Sequence, residues 1–140
     1  MKIVKKLCCI CLIIMAYNCS SDDDSNGGEM NQLTVQELLV SGKWYNESRT
    51  PGTDYSDCEK NGYIEFKADS SFNLESFDDS SGSCESLGIN MATYTLSNNR
   101  DILIAFESEE IIAVINSISE ESLTVTSSSG ETLTFDKTQG

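Results

Sequence analysis

The side chains of this chain that could do chemistry are carboxylates and cysteines. It has no His, and 23 acidic residues stand against nine basic ones. Asp78 and Asp79, followed by Ser80, Ser81 and Gly82, offer the hard oxygens that calcium takes. They lack the spaced acids and closing Glu of a calcium loop, so they read as a solvated turn. Glu107, Glu109 and Glu110 supply carboxylates for an acid–base pair. Such a pair must face across a cleft in two different environments, and a charged turn is the plainer reading. Asn46-Glu47-Ser48 fits a glycosylation sequon, a short pattern that carries little weight by itself. The sequence contains no Gly-rich phosphate loop, Ser–His pair or metal-ligand cluster. The expectation is no catalytic residue, no metal and no cofactor.

The elements that must position these residues begin after a leader. Lys2, Lys5 and Lys6 make a basic start, and Leu7 to Met15 is a continuous run of Leu, Ile, Cys and Met. A run of that length fits a signal-peptide core and falls short of the roughly 20 apolar residues that span a bilayer. Ala16-Tyr17-Asn18-Cys19 follows, and then Ser20-Ser21-Asp22-Asp23-Asp24. This resembles the lipobox of bacterial lipoproteins, in its looser Bacteroidetes form, with the acidic surface-export signal used in that phylum. The resemblance implies cleavage after residue 18, lipid on Cys19 and an outer-membrane anchor on the periplasmic or cell-surface face. The alternative is an ordinary secretory leader before an acidic, disordered start. Loss of Lys2, Lys5 and Lys6 leaves six basic and 23 acidic side chains, a net charge of −17. That charge keeps a domain soluble, repels nucleic acid and favours basic macromolecular partners.

Cleavage also removes Cys8, Cys9 and Cys11, and lipidation consumes Cys19. Cys58 and Cys84 remain as an even pair in an oxidising compartment, where a disulfide is the natural state. Two Cys without His do not close a zinc site, and no His is present to activate a thiol.

Residues 19–31 are Ser, Asp, Asn and Gly with little to bury, and read as a flexible tether. Residues 32–140 form the domain. Thr34 and Glu37 make a capping box for a short helix, with Leu33 and Leu38 at staple positions and Gly42 ending it. Beyond Lys43 apolar residues alternate with polar ones. Ile64 and Phe66, Phe72 and Leu74, Tyr94 and Leu96, Ile102, Ile104 and Phe106, Leu123 and Val125, and Leu133 and Phe135 each share a face, as do Ile112, Val114 and Ile118. Period two with β-branched and aromatic enrichment predicts strands. Turn-formers at Asp69-Ser70, Asn98-Asn99, Glu120-Glu121 and Ser129-Gly130 separate them. With Lys43 to Arg49 as the first, this makes eight short antiparallel strands in sequence order, and closing them into a barrel removes exposed edges. An immunoglobulin-like sandwich is the competing fold, but it needs long crossover links. If residues 63–67 and 72–76 face one way, the hairpin turns at Asp69-Ser70. Cys58 then opposes residue 80 or 82, near Cys84.

A short helix, Gly42-Lys43-Trp44 and an eight-strand meander together resemble the lipocalins. Tyr63 to Phe72, Tyr94-Thr95-Leu96 and Glu121 to Val125 are similar to strands of the lipocalin-like lipoproteins of Bacteroidetes. The resemblance implies that Trp44 plugs one end of the barrel, behind Gly42. In that family an Arg from the end of the barrel lies across the Trp; here only Lys137 is available, a weaker stacking partner. Residues 33–137 make a short lipocalin, so the cavity is expected to be small or filled. Phe66, Phe72, Tyr94 and Phe106 are its candidate lining, and Ile64, Leu74, Leu96, Ile104, Val114, Leu123 and Leu133 are expected to point inward. Two functions follow. One is a binding module for a small apolar ligand, which predicts a lined cavity. The other is a protein-binding module, such as an inhibitor of a basic enzyme like lysozyme, which predicts a filled barrel with acidic loops on one rim.

Overall fold

A computed structural model describes residues 32–140. The expected signal peptide, Cys19 and the tether lie outside the described residues. A short helix α1 (Val35–Leu39) precedes β1 (Lys43–Thr50), β2 (Tyr63–Phe66), β3 (Ser71–Asp78), β4 (Glu85–Ser97), β5 (Asp101–Ala105), β6 (Glu110–Ile118), β7 (Ser122–Ser127) and β8 (Thr132–Asp136). Each strand pairs with the next, and β8 returns antiparallel to β1, so the sheet closes into a barrel in strict chain order. Short links between alternating strands, with a longer loop only over residues 51–62, produce this topology directly.

Five residues of helix are too few to be stable alone. The Thr34 hydroxyl accepts the Glu37 backbone N–H, and the Glu37 carboxylate accepts the Thr34 N–H at 2.8 Å. This capping box starts the helix, and Leu39, fully buried in the core, anchors it to the barrel. Leu33, at the staple position, stays exposed. The β2–β3 hairpin pairs Phe66 with Phe72 and Ile64 with Leu74, the register expected from a turn at Asp69-Ser70. Asn98 and Asn99 both take φ of 54°, a left-handed region that Asn tolerates better than most residues, and turn the chain between β4 and β5.

Two strands depart from simple alternation. In β6 the inward residues are Ile111, Ala113 and Ile115, not Ile112 and Val114. Nearly every position from 111 to 115 is apolar, so periodicity could not choose the face. A bulge between Ile115 and Ser117 then returns Ile118 to the core. In β4 the first half was not legible as a strand. Leu87, Ile89 and Met91 are exposed there, and Ile89 and Met91 pair with the polar residues Glu75 and Asn73 of β3.

Candidate functional site

Trp44 opens β1 and is fully buried. Gly42, two residues earlier, has φ of +122°, which swings the chain from helix into strand. The indole Nε1–H donates to Leu39 O at 3.0 Å, joining helix to plug. Lys137, just past β8, sets its Nζ 3.3 Å from the centre of the indole ring and donates to Lys43 O at 3.3 Å. A cation this close to an indole face is held by the ring quadrupole. The role that the family gives to Arg therefore falls to Lys137. Burial lowers its pKa below the usual lysine value.

Tyr94 belongs to this closed end and does not line the cavity. Its hydroxyl donates to Lys67 O and accepts from the Gln36 side chain, each at 3.0 Å. Its ring packs edge-on to Phe66 at 4.9 Å. One tyrosine thus ties the helix and the β2–β3 turn to the barrel floor.

Above the floor is a cavity of about 290 Å³. Phe66, Phe72 and Phe106 line it, together with Ile102, Ile104 and Phe135 among others. Of the expected inward set, Ile64, Leu74, Ile104 and Leu133 also face this space. Leu96 and Leu123 pack in the core outside it.

The polar lining comes from Asn46, Arg49, Tyr55, Glu59, Ser76 and Ser127. Asn46 lies midway along β1, while Arg49 near its end, Tyr55 and Glu59 on the following loop, Ser76 near the end of β3 and Ser127 at the end of β7 gather at the end away from Trp44. Period two from Trp44 would turn Arg49 outward. A bulge between Asn46 and Ser48 resets the alternation, so Asn46 pairs with Phe135 and Arg49 with Leu133, and both polar residues face in. Nothing in the alternation of residues 43–50 announces this.

The β1–β2 loop folds over this end. The Asn46 side chain donates to Glu59 O at 2.9 Å, which accounts for the residue at the sequon position. Arg49 donates from Nε to Thr53 O at 2.6 Å, stacks on the Tyr55 ring at 4.6 Å, and sets Nη2 3.5 Å from Glu59 Oε1. Burial pushes the Tyr55 hydroxyl above its ordinary pKa of 10.0, partly offset by Arg49. The Cys58–Cys84 disulfide ties this loop to the β3–β4 connection, with Cα atoms 5.5 Å apart.

The other candidates have local roles or none. The Asp78 carboxylate accepts from Ser80 Oγ and the Ser80 N–H, bonds that lower its pKa, and so closes its own turn. Glu107, Glu109 and Glu110 are exposed at the β5–β6 turn. Among the described residues no group of three His, Cys, Asp or Glu is placed to hold a metal.

A closed eight-strand barrel with a Trp-plugged floor and an apolar cavity can be compared with known proteins. The profile of the lipocalin-like domain matches residues 40–138. The chain belongs to the lipocalin-like domain family. Two solved structures have the same fold. A lipocalin-like protein from Bacteroides uniformis is 17% identical, with TM-score 0.55 over 71% of this chain and 98% of its own. A protein from Bacteroides eggerthii is 15% identical, with TM-score 0.54 over 71% of this chain and 99% of its own. No curated protein matches the chain significantly. Lipocalin-like domains are in general binding modules rather than enzymes. In this one the floor is Trp44, Leu39, Tyr94 and Lys137, and the mouth is Arg49, Tyr55 and Glu59.

Proposed function

We propose that this lipocalin-like domain is a lipid-anchored binding module of the outer membrane that holds one small apolar molecule inside the barrel. The observation that carries this is the cavity of about 290 Å³, apolar on almost all sides with polar groups gathered toward one end. The volume lies just below the roughly 300–1,000 Å³ typical of small-molecule sites. The short domain expected from the sequence accounts for the modest volume. The neutral fluorophore N-phenyl-1-naphthylamine should bind with enhanced emission and a stoichiometry of one. Absence of any saturable binding overturns the reading.

The anchor rests on the sequence. Cys19 follows a basic, apolar leader, and the acidic Asp22-Asp23-Asp24 lies just behind it. Mass spectrometry of the membrane fraction should find an acylated N-terminal Cys19. A soluble mature protein with a free N-terminus elsewhere rejects it.

A second reading has one observation in its favour. The loops at the mouth carry Asp54, Asp57, Glu59, Asp78, Asp79, Glu107, Glu109 and Glu131 against Arg49 and Lys60. A basic protein, such as a lysozyme-like enzyme, would find an attractive rim there. Salt-sensitive binding of lysozyme by a protein that takes up no apolar probe would move the assignment to this class.

A further inference from the structure

Among the described residues Arg49 is the only cationic one in the cavity wall, and its placement says what kind of molecule fits. We infer that the ligand is a single-chain amphiphile whose anionic head, in its simplest form a carboxylate, is received by Arg49 while its tail lies among Phe66, Phe72, Ile104 and Phe135. This rests on the cavity-binding reading above and adds the chemical class of the ligand.

Three observations carry it. First, the cavity is itself amphiphilic. Its deep wall is aromatic and aliphatic, and Asn46, Arg49, Tyr55 and Glu59 lie together on β1 and the loop that follows. A wholly apolar ligand would leave that end unused. Secondly, the guanidinium is held in position before any ligand arrives. Its Nε donates to Thr53 O, and its plane rests on Tyr55. Holding the side chain this way lowers the entropy cost of forming further bonds. Thirdly, the rest of the fork is underused. Among the described residues its only other partner is Glu59 Oε1 at 3.5 Å, within ion-pair range but long for a hydrogen bond. Glu59 is committed elsewhere, since its Oε2 accepts the Ser56 N–H at 2.8 Å. Planar, charge-assisted donors of this kind match a carboxylate two bonds at a time.

The acidic loops do not decide against an anion. Charges more than about 8 Å from the head group are largely screened at physiological ionic strength. Arg49 meets the head at contact. Among the described residues Glu59 is the one carboxylate in the cavity lining, and Asp54, whose Oδ1 accepts the Arg49 and Tyr55 backbone N–H groups, lies beside it with its acceptors already engaged.

The test is displacement of N-phenyl-1-naphthylamine from the purified protein by decanoate and by decanol. These share a tail and differ in the head. A purely apolar cavity favours decanol, the less hydrated of the two. Recognition by Arg49 should make decanoate the better competitor by about tenfold or more, the difference expected of charge-assisted bonds. Arg49→Met should abolish the preference or reverse it. Glu59→Gln removes the competing carboxylate and should widen the preference several-fold. Decanol equal to or better than decanoate in the wild-type protein overturns the inference while leaving the cavity reading intact. If the neutral probe does not bind at all, the cavity reading fails and this inference with it. The wild-type comparison decides the matter even if Arg49→Met does not fold.

Discussion

Replacing Trp44 with Ala should destabilise the domain by about 3–5 kcal/mol. The side chain is fully buried and touches helix, floor and strand at once. An indole buries roughly 150–250 Å². At about 25 cal/mol per Å² this is worth roughly 4–6 kcal/mol. Residual structure in the unfolded chain lowers the figure by roughly 10–40%. Leu39 O would also lose its partner inside a buried site, and that loss works in the other direction. A domain of this size has about 5–15 kcal/mol in all, so much of the stability would go. Trp44→Phe keeps an aromatic ring but orphans Leu39 O, and should cost about 1–3 kcal/mol. Lys137→Met removes only the cation over the ring and should cost about 0.5–1 kcal/mol. Urea denaturation followed by far-ultraviolet circular dichroism measures all three. Because Trp44 is the only tryptophan, native fluorescence reports on this site alone. Iodide should quench it weakly in the native protein and strongly in urea. Strong native quenching, or a loss below about 1 kcal/mol for Trp44→Ala, would refute the plug.

Cys58→Ser with Cys84→Ser should cost about 3.5 kcal/mol, from the loop entropy released over a sequence separation of 26; two free thiols in the oxidised wild-type protein would contradict the premise. Tyr55 gives a pH dependence. Burial raises its folded pKa above 10.0, so its contribution is fully present below pH 10.0 and is lost as the pH climbs through the folded value. Absorbance titration at 295 nm should show one fewer late-ionising tyrosine in Tyr55→Phe than in the wild-type protein, and loss of a tyrosine from the normally ionising group instead would count against burial at the mouth.

Much of the fold was legible because local chemistry specifies it. The Thr34–Glu37 capping box, the turn at Asp69-Ser70, the Asn98-Asn99 turn and the alternation of Ile64, Phe66, Phe72 and Leu74 all act within a few residues. Cys58 and Cys84 were the pair left once the leader cysteines and Cys19 were set aside, the hairpin register brought them together, and no other Cys lies among the described residues. Gly42-Lys43-Trp44 marked the floor, and Lys137 was the one cation placed to cover it.

The mouth of the cavity was decided elsewhere. Arg49 faces inward because β1 bulges after Asn46, and that bulge exists to match β8, more than 80 residues away in sequence. Val114 faces outward because neighbouring strands fix the register of a segment that is apolar on both sides. Tyr94 left the cavity for the floor because its hydroxyl found Lys67 O and the Gln36 side chain. Tyr55 and Glu59 reach the site on a loop with no periodicity to read. The sequence by itself determined most of the elements, since caps, turns and alternation act within a few residues, and it marked the cross-link and the closed end by residue type, with Cys58 and Cys84, and with Trp44 and Lys137. Only the closing of the sheet determined which side chains share the open end, because register and bulges answer to partners distant in sequence.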